Sequence, residues 1–315
     1  MQKTESLIEY LKAHPLCLSP LSEVGDSPFR RICRHAGAGL LVAPMIAARH
    51  VLDESQAMPH EVLFQVDEHP LGIQLIANHP QDAMLATRRL RVMDYDFIEL
   101  NCACPSHRIV ANGCGAALLL DLPKLLAIAA AIKEGAGDLP VTAKLRLGFH
   151  SKELQADRII PQLAEIGYSW VTVHGRYADQ NYDQTADWAA ISKLADQSLL
   201  PLIGNGDITS ASQAYYFLAK SKIVAVMIGR GAFGKPWVFS GMEELNWMER
   251  VGWAQKHFGY QLQLYDEREA VIRFRKHLIW YSRGGQKARQ LRNSIPGMSS
   301  AAQVEEAFAI MAQWQ

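Results

Sequence analysis

Short runs rich in apolar and β-branched residues recur eight times before residue 230, and that recurrence leaves few folds open. They are Leu16 to Leu18, Gly39 to Val42, Gly72 to Ile76, Phe97 to Leu100, Val141 to Leu145, Trp170 to Val173, Leu200 to Ile203 and Val224 to Ile228. Stretches of helical period separate them: Pro80 to Met93, Leu122 to Glu134, Leu154 to Ile166, Trp188 to Ala195 and Ser210 to Ala219. A strand-then-helix unit about every 30 residues predicts a parallel sheet with helices covering it. Eight units close a (β/α)8 barrel, whereas an open doubly wound sheet usually has fewer, so the expected class is an α/β TIM barrel. From about Gly252 onward only helical periodicity remains. The expected organisation is a barrel over residues 1–248 and a small C-terminal helical domain over residues 249–315.

Composition supports a folded chain with a large core: 49% of the 315 residues are hydrophobic and 20% charged. This excludes disordered, collagen-like and disulfide-scaffold classes. The longest apolar stretches, such as Leu125 to Ile132, fall far short of the roughly 20 residues that span a bilayer. The first residues mix Lys3, Glu5, Glu9, Lys12 and His14 and lack the apolar block of a secretory signal, so a cytoplasmic location is expected. Five cysteines, an odd set, fit free thiols. Basic and acidic residues balance at 32 each, yet Val271 to Arg292 carries Arg273, Arg275, Lys276, Arg283, Lys287, Arg289 and Arg292 without one acid. Such a run suits an anionic partner, or a solvated helix face.

A barrel places its chemistry at the C-terminal ends of its strands. Those ends here are polar, glycine-rich or ionisable: Ser19-Pro20-Leu21-Ser22, Gln74, Asn101 to Pro105, Lys144-Leu145-Arg146, His174-Gly175-Arg176, Gly204 to Asp207 and Gly229-Arg230-Gly231. The glycine turns after strands seven and eight fall where many barrels hold a phosphate, with Arg230 as a bidentate cation. Gly229 to Gly234 matches GxGxxG, but no strand follows to carry the acidic residue of a dinucleotide fingerprint. Cys102, Cys104, His107 and Cys114 lack zinc-ligand spacing, so no metal is expected. Cys104, in a loop above the barrel mouth, is suited to moving a proton on a bound substrate. Lys144 and Arg146 point to one strand face, the barrel interior, where a cation requires an anion. Either Glu99 or a cofactor that becomes negative would supply it, and the cofactor is the favoured partner.

These motifs together resemble the tRNA-dihydrouridine synthase family over roughly residues 16 to 290. The resemblance is carried by Leu18 to Leu21, Asp26 to Arg30, Ile73-Gln74-Leu75, Glu99 to Ser106, Val141 to Gly148 and Thr172 to Arg176. It continues through Ile203 to Ile208, Val226 to Gly231 and the tail signature Arg275 to Tyr281. The resemblance implies reduction of specific uridines in tRNA to 5,6-dihydrouridine by an FMN barrel with NADPH as reductant. Cys104 would be the proton donor. Pro20, Leu21, Ser22, Gln74, Lys144 and His174 would hold FMN, with Asn205, Gly206, Asp207, Gly229 and Arg230 completing the set. Lys144 would face the anionic reduced flavin, and the glycine turns with Arg230 its phosphate. Asn101, Arg146 and Arg176 are candidates for the flipped base or its phosphates, and Arg273, Arg275, Lys276 and Arg283 for the RNA. No membrane and no obligate protein partner are expected.

Two positions depart from the family pattern: Leu21 stands where methionine is usual, and Ala43-Pro44-Met45 puts proline where an acid normally ends the second strand. Two other readings share the flavin groups. One is a flavin barrel acting on a free pyrimidine-like molecule; the other is an RNA-binding flavoprotein without catalysis.

Overall fold

A computed structural model describes residues 2–314 and shows eight parallel strands: β1 (Leu16–Leu18), β2 (Leu41–Ala47), β3 (Leu71–Ile76), β4 (Phe97–Cys102), β5 (Val141–Arg146), β6 (Trp170–His174), β7 (Leu202–Asn205) and β8 (Ala225–Ile228). From β2 to β8 each strand pairs with its sequence neighbour, and β1 pairs with β8. The remaining seam is closed by Leu18 N–H donating to Leu40 O at 2.8 Å and Gly39 N–H to Leu16 O at 2.7 Å. The expected TIM barrel is therefore present.

Thirteen helices are described, α1 (Gln2–Ala13), α2 (Ser27–His35), α3 (Ala48–Leu52), α4 (Pro80–Leu90), α5 (His107–Ala111), α6 (Leu122–Ala136), α7 (Ala156–Ile166), α8 (Trp188–Gln197), α9 (Ala211–Lys220), α10 (Trp247–Leu264), α11 (Glu267–Tyr281), α12 (Ala288–Ser294) and α13 (Ala301–Ala312). Outward residues such as Leu41, Ile73, Leu100, Ala143 and Val226 pack against the surrounding helices. Inward residues alternate with them, and their lower layer joins Phe97, Trp170, Ile203 and Met227 to Leu7 and Leu11 of α1. The N-terminal helix, unforeseen from sequence, thus plugs the barrel floor and leaves its interior facing the other end. Gly72 makes room in that layer, since a Cβ there would lie 2.2 Å from the Phe97 ring.

The second strand differs from its expected span because it runs through Pro44. Its pairing with β3 shifts between Ala43 and Ile46. A proline has no N–H for a ladder, and an irregularity of this kind is where a sheet tolerates one.

Helices α10 to α13 have their own apolar cluster, built on Phe258, Phe274, Leu278, Val304 and Phe308. They dock on the barrel through α2: Arg31 lies 4.1 Å over the Tyr260 ring, and Phe29 stacks on His277 at 5.3 Å. The loop after β8 completes the contact. Phe233 stacks on Trp280 at 4.3 Å, and Gly234, at φ +67, sits so close that a Cβ would be 2.4 Å from the Trp280 carbonyl carbon. The third glycine of the GxGxxG match therefore serves the packing of α11 against the loop after β8. Among the described residues, no helix is long and apolar enough to cross a membrane.

Candidate active site

The C-terminal strand ends surround a cleft of about 750 Å³, within the usual range for small-molecule sites. All residues expected to hold the cofactor line it, from Pro20, Leu21 and Ser22 through Gln74, Lys144 and His174 to Asn205, Gly206, Asp207, Gly229 and Arg230. Cys104, Asn101, Arg146 and Arg283 line it as well.

Its floor is a hydrogen-bonded polar layer set by strand register, which pairs Asn101 with Lys144 and Gln74 with Glu99. Lys144 Nζ donates to Asn205 Oδ1 at 2.9 Å, and Asn205 Nδ2 donates to Met227 O at 2.8 Å. Gln74 Nε2 donates to Glu99 Oε1 at 2.6 Å while its oxygen accepts from Asn101 Nδ2 at 2.6 Å. Asn101 Oδ1 in turn accepts from the backbone N–H groups of Ala103 and Cys104, both at 2.9 Å. The Cys104 loop is thereby tied to the strand below it. Burial pushes the Glu99 carboxyl up and pulls the Lys144 ammonium down, and the opposite charge of each partly offsets the shift in the other. Both alternatives for the Lys144 anion thus meet at one place: Glu99 lies beneath it and the open cleft above.

His174 is neutral. Burial first, then the cations Lys144, Arg146 and Arg176, push its imidazole down to about 2. Its Nε2 accepts from Arg176 Nη1 at 3.1 Å.

The turn after β7 passes through two successive left-handed residues, Gly206 at φ +136 and Asp207 at φ +54. A Cβ on Gly206 would meet that of Ala186 at 2.6 Å, so glycine is required there. Asp207 is directed between two arginines: Arg176 Nη2 reaches its oxygens at 2.6 and 2.7 Å, and Arg230 Nη2 lies 3.2 Å away. Arg176 is buried and also donates to Gln184 O, while Arg230 is half-exposed. Arg176 therefore neutralises Asp207 and leaves Arg230 free to turn toward another anion.

Some expected contacts are spent elsewhere. Arg176 does not line the cleft, because its guanidinium braces the loop before α8. Arg146 lines it but is held by Ala103 O at 2.8 Å and Tyr177 O at 2.7 Å. Arg273 is away from the cleft, paired with Glu61 at 3.0 Å and Glu269 at 2.8 Å. Arg275 donates to Met298 O, and Lys276 to Glu23 O. These three cations of the basic segment hold the tail together and to the barrel, and of the four RNA candidates only Arg283 reaches the rim.

A matching family model, dihydrouridine synthase, covers residues 17–313. The chain belongs to the dihydrouridine synthase family. It is 32% identical over 305 residues to a probable tRNA-dihydrouridine synthase of Rickettsia conorii, covering 93% of this chain and 92% of that protein. A probable tRNA-dihydrouridine synthase of Rhizobium leguminosarum is 34% identical, with 84% of each chain covered. Among solved structures, morphinone reductase in complex with tetrahydroNAD shares the fold with a TM-score of 0.51 at 13% identity, over 73% of this chain and 88% of that one.

Within this dihydrouridine synthase family member, two cleft residues escaped the sequence reading. Tyr182, in the polar loop after β6, is half-exposed and lies 4.3 Å beneath the Arg230 guanidinium. Met45 reaches the cleft from β2, with its sulfur 3.6 Å from Asn101 Nδ2. An aromatic isolated among Gln180, Asn181, Asp183 and Gln184 was the available signal for the first; Met45 had none beyond its place after Pro44.

Proposed function

We propose that this protein reduces uridines of tRNA to 5,6-dihydrouridine, with FMN in the cleft and NADPH as the reductant. The observation that carries this reading is the convergence on one cleft of a thiol, a buried ammonium and a glycine–arginine corner. The donor set suits the cofactor. Lys144 offers positive charge to an electron-rich ring, Gln74 offers an amide, and Arg230 with the turns at Gly206 and Gly229 suits a phosphate. The bound flavin would supply the hydride chemistry.

The protein's own part is positioning and proton transfer. Cys104 is half-buried on the cleft wall, and its loop is held by Asn101 and by Arg146 through Ala103 O. It would donate its proton at uracil C5 as the base gains a hydride at C6. Neutral His174 adds no charge. Tyr182 and the Phe233–Trp280 pair present aromatic faces at the rim for an everted base, whose extraction from the RNA costs a few kcal/mol. That Trp280 and Arg283 of the helical region border the same opening supports a macromolecular substrate over a free pyrimidine. The proposed division of labour is a flavin-binding barrel and an RNA-binding tail.

The test is dihydrouridine content of tRNA incubated with protein, NADPH and FMN. Product from wild type and a large loss in Cys104→Ala, with the flavin absorbance between about 370 and 450 nm retained, is expected. No product from the unmodified protein would sink the proposal.

A further inference from the structure

Beneath the cleft lies a carboxyl group that does not line it. Glu99 is fully buried, one inward position below Asn101 on β4. Its Oε1 accepts from Gln74, but its Oε2 has no hydrogen-bond partner among the described residues. A buried carboxylate oxygen left bare is costly, and the cost falls when the group is protonated and uncharged.

The charges around it are few. Lys144 faces it from β5, while Cys17 of β1 and Cys102 of β4 contribute thiols that burial pushes up and keeps neutral. Lys144 is anchored on Asn205 at the cleft floor, so one ammonium serves both Glu99 below and whatever anion forms above. When the cleft contents are uncharged, Lys144 and Glu99 cancel. When a negative charge arrives above, two anions share one cation in a poorly solvated space. Neutralising the lower anion removes the excess.

We propose that Glu99 takes up one proton from solvent each time the bound flavin gains a hydride, and releases it when the hydride leaves. This rests on the flavin reading above. The account balances: the dinucleotide loses a hydride, two electrons and one proton, and leaves oxidised. The ring gains that hydride and one negative charge, and a solvent proton converts the Glu99 carboxylate to a carboxylic acid. Glu99 acts through charge on Lys144 and through the orientation of Gln74, as a positioning residue.

The test is the midpoint potential of the FMN-loaded protein measured from about pH 6 to pH 9. Wild type, taking two protons with two electrons, should show a slope about twice that of Glu99→Gln, which keeps the oxygen used by Gln74 but takes one proton. Equal slopes with flavin bound in both proteins would overturn this inference and leave the flavin reading standing. Failure of wild type to bind FMN would overturn both. Should Glu99→Gln not fold, the reduced-minus-oxidised infrared spectrum of the wild type decides: a protonated-carboxyl band gained on reduction is expected, and its absence refutes proton uptake.

Discussion

Asn101 Oδ1 accepts the backbone N–H of Cys104 at 2.9 Å, so a strand residue in the barrel interior sets where the thiol loop begins. The same side chain donates to Gln74, so the thiol loop and the cleft floor share one amide. Asn101→Ala should leave flavin affinity within a few-fold but slow oxidation of the reduced protein by tRNA by about 100-fold, the effect of displacing a reacting group by about 1 Å. Stopped-flow measurement of that half-reaction checks it, and an unchanged rate would show that the Arg146 bond to Ala103 O and the Ala116 N–H bond to Cys104 O suffice to hold the loop.

Gly234 joins the barrel to the helical region without space for a methyl group. Gly234→Ala combines a strained φ with a clash against the backbone of α11 and should destabilise by about 3 kcal/mol. Urea unfolding monitored by tryptophan fluorescence reads this, with the stacked Trp280 as a local reporter. A loss under about 0.5 kcal/mol would mean that the two regions slide apart freely.

The basic segment divides into cations at work inside the protein and cations at its surface. Arg283→Ala should weaken tRNA binding and reduce the salt dependence of log K by about one unit of slope, with stability unchanged. Arg275→Ala should instead cost about 2 kcal/mol of stability, because Met298 O loses its charged donor. Binding titrations at several salt concentrations, paired with denaturation curves, separate the two. A salt slope that falls equally in both variants would refute the division.

Acid should loosen the seam between barrel and tail. His257 and His277 are fully buried there, and burial pushes His257 down to about 3 and His277 well down. Both stay neutral in the folded protein while the unfolded chain takes up protons as pH falls through about 6.5. Stability is thus intact above that value and declines below it, by about 1.4 kcal/mol per pH unit for each imidazole that remains neutral. Denaturation midpoints at about pH 7.5 and 5.5 measure the slope, and His277→Phe, which keeps a ring against Phe29, should remove about half of these histidines' contribution to it. An unaltered slope would place the acid sensitivity elsewhere.

Eight strand-forming runs, and the polar residues that end them, were legible because period and turn chemistry are local properties written in spacing. Cys104, Lys144, His174 and Arg230 could be assigned to one cleft for the same reason, since a barrel gathers all its strand ends. Spacing said nothing of the floor plug, because α1 acquires meaning only when Leu7 and Leu11 meet residues from β1 to β8. Nor could it tell apart Arg273, Arg275, Lys276 and Arg283, four similar cations within eleven positions. Their fates depend on Glu61, Met298 O and Glu23 O, which distant segments bring to three of them and not to the fourth. A long charged side chain binds whatever the tertiary fold places within reach, so the sequence alone determined the barrel and its cleft. Which cations remain free to meet a partner was decided only by the folded chain.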